Sequence, residues 1–456
     1  MELDKPKTTS FLTLPPEIRE EIYRIILHPD ANRVEGRDEY TDYDYRPALV
    51  LFRLSTQIYW EARRIFRDLN VFVRIETPWP EAHHHVAFEG HVPILMKHAR
   101  AAAFKGHSLA VAIGAPHTLM QEAEPQHFVI LLDDLDKFAT TWRYADLTNP
   151  GLNGYLTLTL QLRDPHYVPE LCEEVRAVPK WRQRQLLLPF GAVKGLRETV
   201  VTSDPKTTAK PFFSVENELR AAQQVPHASP AACLAETSRL KAEGTKLLSA
   251  GKYHEALALY TRAWEAMHVV VKGRQRHVHA EAFFAGELRE EPYVGKNGQL
   301  ERLVLRVQLV ANTVLAYLKL EDWDEARFWG MRTITTMRQS IGALDRDDLN
   351  PEDEAVMGFP AAAPLGRIYY RTALAHKELG DKAAARRLLR VAAVYMPNDP
   401  NVKKGNRRLR LTTWLSKVRP LCRCRYHVTV RCLFPAVISV PQYYSSQSIV
   451  FQTDMK

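Results

Sequence analysis

At 456 residues, the chain exceeds what one hydrophobic core sustains, so two or three domains are expected. Its 46% apolar and 25% charged residues are those of an ordinary soluble protein, with a formal net charge of +9. No uncharged apolar run reaches the roughly 18 residues of a membrane span, and the opening Met-Glu-Leu-Asp-Lys-Pro-Lys leads into no apolar signal core.

The positive balance is local. From Asn401 onward eleven Lys and Arg stand against one acid, Asp454, so that segment carries +10 and the rest of the chain about −1. The basic character belongs to a tail, and a folded nucleic-acid surface is not indicated. Five cysteines, two alone (Cys172, Cys233) and three clustered (Cys422, Cys424, Cys432), do not form a disulfide framework. They point to a reducing compartment, the cytoplasm or nucleus.

In chain order, residues 1–10 are polar and expected to be disordered. Leu14-Pro15-Pro16-Glu17-Ile18 then opens a helix. Thr13 can cap it, the prolines fit a first turn, and Glu17 suits the positive end of the helix dipole. Ile18, Ile22, Ile25 and Ile26 form its apolar stripe. Leu51, Leu54, Ile58, Ala62, Ile65, Phe66 and Leu69 make a second stripe, leading into a strand from Val71 to Ile75. Residues 76–202 read as mixed α/β: a helix from Gln126 to Trp142, a Leu/Thr-alternating strand from Leu156 to Leu162, and helix, turn and strand over 186–201. Residues 203–236, rich in Pro, Ala, Ser and Gln, read as a linker.

From residue 237 three segments share one spacing, about 237–270, 307–340 and 366–399. Gly244, Ala256 and Ala263 sit where two helices must approach closely, and Tyr253 and Tyr260 fill the space between them. Asn312, Ala316, Tyr317, Trp323 and Ala326 follow the same order, as do Arg371, Ala373, Gly380, Ala385 and Ala392. The first insert, 271–306, reads as extended helices and the second, 341–365, as a loop. A basic capping helix is expected to run to about Lys417, and residues 418–456 have no organised period.

Helix pairs of about 34 residues with this pattern resemble the tetratricopeptide repeat, or TPR. The Leu-Pro-x-Glu-Ile opening, with Arg-Leu-Ser-Thr-Gln-Ile-Tyr-Trp-Glu-Ala at 53–62 and the strand after it, resembles a class of fungal F-box-like proteins. Together these resemblances imply a mainly α chain. F-box-like helices (11–75) and the mixed α/β region would be followed by a three-repeat TPR α-solenoid (237–417). The F-box resemblance implies docking on a Skp-type adaptor of a ubiquitin ligase through Leu14, Pro15, Glu17, Ile18 and Ile22. The TPR resemblance extends to the carboxylate-clamp TPRs of co-chaperones and immunophilins, which hold heat-shock chaperone tails ending in Glu-Glu-Val-Asp. Carried over, Lys241 stands at the first clamp lysine and Asn312 at the second-repeat asparagine. Arg367 and Arg371 stand at the third-repeat cations, and Thr245 replaces the first asparagine. Two adjacent carboxylates need cationic and amide donors, which these residues supply.

His83-His84-His85 with His91 lacks a ligand spacing with Cys or acid partners and reads as a solvated loop. Cys422-x-Cys424 with Cys432 lacks the second pair of a zinc site. Asp133, Asp134 and Asp136 read as a solvated helix face. The chain carries no phosphate-binding glycine loop, His-Glu-x-x-His or Gly-x-Ser-x-Gly. The expectation is therefore a non-enzymatic interaction protein without cofactor, metal or membrane, either an adaptor of an SCF-type ligase or a co-chaperone with no ligase role.

Overall fold

The computed structural model describes residues 10–35, 41–116, 118, 124–167, 175–344, 346, 349–405 and 407. The expectations for residues 1–9, for Cys172, for the capping helix as far as Lys417 and for the 418–456 tail lie outside this set.

The first helix, α1 (Pro16–Leu27), starts on Pro16, whose missing N–H is one the first turn leaves unpaired in any case. Thr13 does not cap it. That residue ends a 3-10 turn, Phe11–Thr13, and its hydroxyl donates to the Ser10 carbonyl at 2.6 Å. The buried face of α1 is Arg19, Tyr23 and Leu27, while Ile18 and Ile25 are 49% and 62% exposed. The apolar stripe read from the sequence is therefore split: Ile18 and Ile25 face outward, while Ile22 and Ile26 are half-buried and Ile26 packs against the core. A short antiparallel ribbon follows, β1 (Arg33–Glu35) and β2 (Thr41–Tyr43). In α2 (Thr56–Leu69) the Ser55 side chain caps by accepting from Ile58 N–H, and Ile58, Ala62 and Ile65 turn inward. Leu54, expected in that stripe, precedes the helix and is exposed.

Glu61 of α2 explains why Arg19 and Tyr23 take the buried face of α1. It takes a two-pronged ion pair from Arg19 (Nε–Oε2 2.9 Å, Nη2–Oε1 2.6 Å) and a hydrogen bond from the Tyr23 hydroxyl at 3.0 Å. The hydrogen bond to Arg19 holds the Glu61 carboxyl down at about 2, and burial pushes Tyr23 up to about 12.

A six-stranded sheet fills the next stretch. In chain order come β3 (Phe72–Thr77), α3 (Ala82–Phe88), β4 (Met96–Lys97), α4 (His98–Ala103), β5 (His107–Gly114), β6 (Gln126–Leu131), α5 (Leu135–Thr148), β7 (Thr157–Leu162), α6 (Lys180–Leu187), β8 (Glu198–Ser203) and α7 (Phe213–Gln224). The strands lie in the order β4-β6-β3-β5-β7-β8, with β3–β5 and β7–β8 parallel and the other neighbours antiparallel.

Four readings change here. Gln126 to Leu131 is a strand, and the helix begins only at Leu135. The expected linker holds α7, whose Val215 and Leu219 enter the sheet's apolar core beside Phe190. His83, His84 and His85 belong to α3, and no group of three His, Cys, Asp or Glu suited to a metal occurs among the described residues. Asp134 is fully buried. Its carboxylate takes hydrogen bonds from Tyr43 at 2.8 Å, Lys137 at 2.7 Å and Arg33 at 3.4 Å, tying the β1–β2 ribbon to the sheet.

The remaining described chain is helical apart from one ribbon. It comprises α8 (Pro230–Ser249), α9 (Tyr253–Ala266), β9 (Val269–Lys272), β10 (Gln275–Val278), α10 (Glu281–Phe284), α11 (Gly298–Lys319), α12 (Trp323–Ser340), α13 (Pro351–Glu354), α14 (Ala362–Glu378) and α15 (Lys382–Tyr395). The pairs α8–α9, α11–α12 and α14–α15 share one apolar core. The fold is thus mainly helical with one mixed six-stranded sheet. Tight turns close the outer pairs, with Gly251 at φ +80° and Gly380 at φ +88°, where a side chain would be strained. Gly330 of α12 lies so close to Thr372 of α14 that a Cβ there would meet its Oγ at 1.9 Å. The first insert does not extend the helices over its length. It forms the β9–β10 ribbon and α10, and α11 begins at Gly298, inside the insert. The second insert contains α13, anchored by a buried Glu354.

That ribbon joins the two halves. His277 of β10 and His279 just after it face the sheet unit: the His279 ring stacks on Tyr144 of α5 at 4.7 Å, and His277 meets the His91 ring at 5.1 Å. The Thr148 hydroxyl of α5 accepts from the Ala280 N–H at 3.0 Å. The alternate residue, Arg276, turns toward the helices and lies over the Trp264 ring at 5.3 Å. No described helix is long and apolar enough to cross a membrane.

Candidate functional site: a cationic groove on the first helices

The first helix of each pair contributes to one surface. Lys241 and Thr245 lie one turn apart on α8, Gln308 and Asn312 one turn apart on α11, and Arg367 and Arg371 one turn apart on α14. Cross-helix hydrogen bonds draw them together. The Lys241 ammonium donates to Gln308 Oε1, Asn312 Nδ2 donates to Thr245 Oγ1 at 3.1 Å, and Arg371 donates to the Ala311 carbonyl. Thr245 in turn donates to the Lys241 carbonyl at 2.8 Å. Arg367 stands exposed one turn before half-buried Arg371.

Tyr260 of α9 closes the floor. Its ring packs on Gly244, where any Cβ would come within 2.5 Å of it. Its hydroxyl is buried with no hydrogen-bond partner among the described residues, and lies next to Thr245, Asn312 and Arg371.

The electrostatics are one-sided. Burial lowers Lys241, and burial followed by repulsion from Arg367 lowers Arg371 to about 10, so Arg371 stays charged at neutral pH. None of Lys241, Arg367 and Arg371 has a carboxylate within ion-pair distance among the described residues. Half-buried cations without counter-charges are costly unless an anion meets them, and forked guanidiniums suit a carboxylate.

Lys241, Thr245, Asn312 and Arg371 are thus brought together, with Arg367 at the exposed end. Gln308 and the Tyr260 hydroxyl were missed. Gln308 is one turn before Asn312 on the same face and could have been found by extending that stripe. Tyr260 reads as packing from its spacing, and only the fold places its hydroxyl under the groove.

The N-terminal candidates lie elsewhere. Leu14, Pro15, Glu17 and Ile18 are exposed and Ile22 half-buried. With Ile25 they leave α1 an outward apolar stripe at positions 18, 22 and 25.

The class these observations define is a mainly helical protein with one mixed sheet, three cations on the first helices of its helix pairs and exposed isoleucines on α1. No protein-family model matches the chain, and no curated protein matches it.

Proposed function

We propose that this chain is a non-enzymatic interaction adaptor. Its groove takes the carboxylate end of an extended peptide, of the kind that closes heat-shock chaperone tails. The observation that carries the reading is the set of three cations on the first helices, with no carboxylate at ion-pair distance among the described residues, beside Asn312 and Thr245. In this reading the three helix pairs are TPR repeats and residues 11–75 an F-box-like module. Lys241 and Arg371 hold the terminal carboxylates, Arg367 meets the acidic side chain before them, and Asn312 fixes the peptide through its amide.

The test is calorimetric titration of the full chain with a peptide ending in Glu-Glu-Val-Asp. Micromolar binding is expected, weakened at least tenfold by Arg371→Ala, since removing one charge-assisted pair costs about 1.5–3 kcal/mol. Absence of binding to the unsubstituted chain would remove the clamp reading.

The outward stripe of α1 supports a second contact, docking on a Skp-type ligase adaptor through Leu14, Pro15, Glu17, Ile18 and Ile22. Ile18→Asp is expected to abolish adaptor capture while leaving peptide binding intact, because Ile18 is exposed and supports no core. A chain that captures no adaptor before substitution would be a co-chaperone without a ligase role.

A further inference from the structure

Away from the groove, four arginines converge where the β9–β10 ribbon crosses the helices. Arg302 on α11 is fully buried and clamps the carbonyls of Met267 (2.8 Å), His268 (3.2 Å) and His279 (2.6 Å). One turn on, Arg306 is half-buried, and its Nε is sealed from solvent without a partner among the described residues. The Arg276 guanidinium of β10 lies over the Trp264 ring at 5.3 Å. Arg332 of α12 reaches in from the other side, donating to the carbonyls of Arg274 at 2.5 Å and Arg276 at 3.5 Å.

The guanidiniums of Arg276, Arg306 and Arg332 lie near enough to repel one another, and burial with this repulsion lowers Arg276 to about 9. Neither Arg276 nor Arg306 has a hydrogen-bond acceptor or ion pair among the described residues. The nearby Arg274 is already matched, to Glu325 at 2.7 Å. The acid that Arg306 feels, Glu281, is exposed and forms no ion pair with it.

We propose that Arg276, Arg306 and Arg332 form a binding site for a phosphate group, separate from the carboxylate groove. Two unmatched forks beside a third guanidinium, partly withdrawn from water, suit a compact tetrahedral dianion with several acceptor oxygens. A planar carboxylate engages one fork. The same chemistry is offered by free phosphate and by a phosphomonoester. Occupation would tie β10 to α11 and α12, and so fix the ribbon that also holds the sheet unit.

The experiment is calorimetric titration of the full chain with inorganic phosphate at constant ionic strength, in parallel with phosphoserine and phenyl phosphate. Saturable binding to one site is expected, weakened at least tenfold by Arg306→Gln and also by Arg276→Lys, which keeps the charge but loses the fork. Arg371→Gln, in the groove, is expected to leave phosphate binding unchanged. Tighter binding of the esters would make a phosphorylated ligand the occupant, and tighter binding of inorganic phosphate would make it the free ion. The proposal is overturned by absence of saturable phosphate binding, by full binding in a folded Arg276→Lys protein, or by loss of binding with Arg371→Gln instead. Should Arg306→Gln fail to fold, Arg276→Lys decides alone.

Discussion

Replacing Glu354 with alanine is expected to destabilise the helical array by about 3–5 kcal/mol, the cost of stranding a buried charge. Glu354 closes α13 at 4% exposure and holds two groups from different helices. Arg338 of α12 donates to it at 3.1 Å and the Tyr369 hydroxyl of α14 at 2.8 Å. The other Arg338 branch binds the carbonyls of Ala343 (3.0 Å) and Arg346 (2.6 Å). Without Glu354 the guanidinium keeps its carbonyls but has no counter-charge in an interior where water cannot replace it. Burial followed by the Glu354 charge pushes Tyr369 up, so the carboxylate also holds that hydroxyl protonated as a donor. Glu354→Gln keeps an acceptor and is expected to cost less. Hydrogen exchange at α12 and α14 checks this without assuming all-or-none unfolding of so long a chain. A loss below about 1 kcal/mol would show that Arg338 needs no carboxylate, against the rule for buried pairs.

The helix pairs were legible because close helix packing restricts residue size. Gly244 against Tyr260 and Ala263 at zero exposure mark the seam in the sequence itself. The β7 strand was legible because Thr157–Leu162 alternates inward and outward. β6 was not. Its Phe128-Val129-Ile130-Leu131 run is buried throughout, and a fully buried strand has no period to separate it from the start of a helix. The expected linker hid α7 because two buried residues, Val215 and Leu219, are all that its helix sends inward. On α1 the pattern misled. Four isoleucines outweighed Arg19 as a core candidate, and nothing local shows that Glu61, 42 residues on, will neutralise that arginine in the interior. The candidate clamp residues came from the resemblance to the TPR, one position at a time, whereas the Lys241–Gln308 contact spans 67 residues and exists only once the helices stack.

Acidification from pH 7 to pH 4.5 is expected to separate the sheet unit from the helices at the β9–β10 ribbon. His91, His268 and His279 are each at most 7% exposed. Burial, the largest cause in each case, lowers them to about 4, about 3 and about 4. His277 is also lowered, chiefly by burial. Their surroundings are mainly cationic: His277, Lys272 and Lys137 face His91, while Arg143, Arg302, His227 and His279 face His268. His279 has one carboxylate near it, Glu89 at 3.7 Å, which already pairs with His85 at 3.4 Å. The ring nitrogens His91 Nε2, His268 Nδ1, His277 Nε2 and His279 Nε2 are buried without partners among the described residues, so a proton added there finds no acceptor among them.

The direction follows from linkage. These groups have folded values below the roughly 6.5 of an unfolded histidine, so below that pH the open chain binds protons that the closed junction refuses. Stability at the junction is complete above about pH 6.5 and falls as pH drops toward the folded values near 4. The slope is up to about 1.4 kcal/mol per pH unit for each histidine involved. Hydrogen exchange at β9, β10 and α5 across this range is the measurement, and small-angle scattering should show the chain expanding. His279→Phe keeps a ring against Tyr144 and removes one titrating group, so the opening midpoint is expected to move to lower pH. Junction protection that stays constant to pH 4.5 would mean that the neutral histidines do not hold the two halves together.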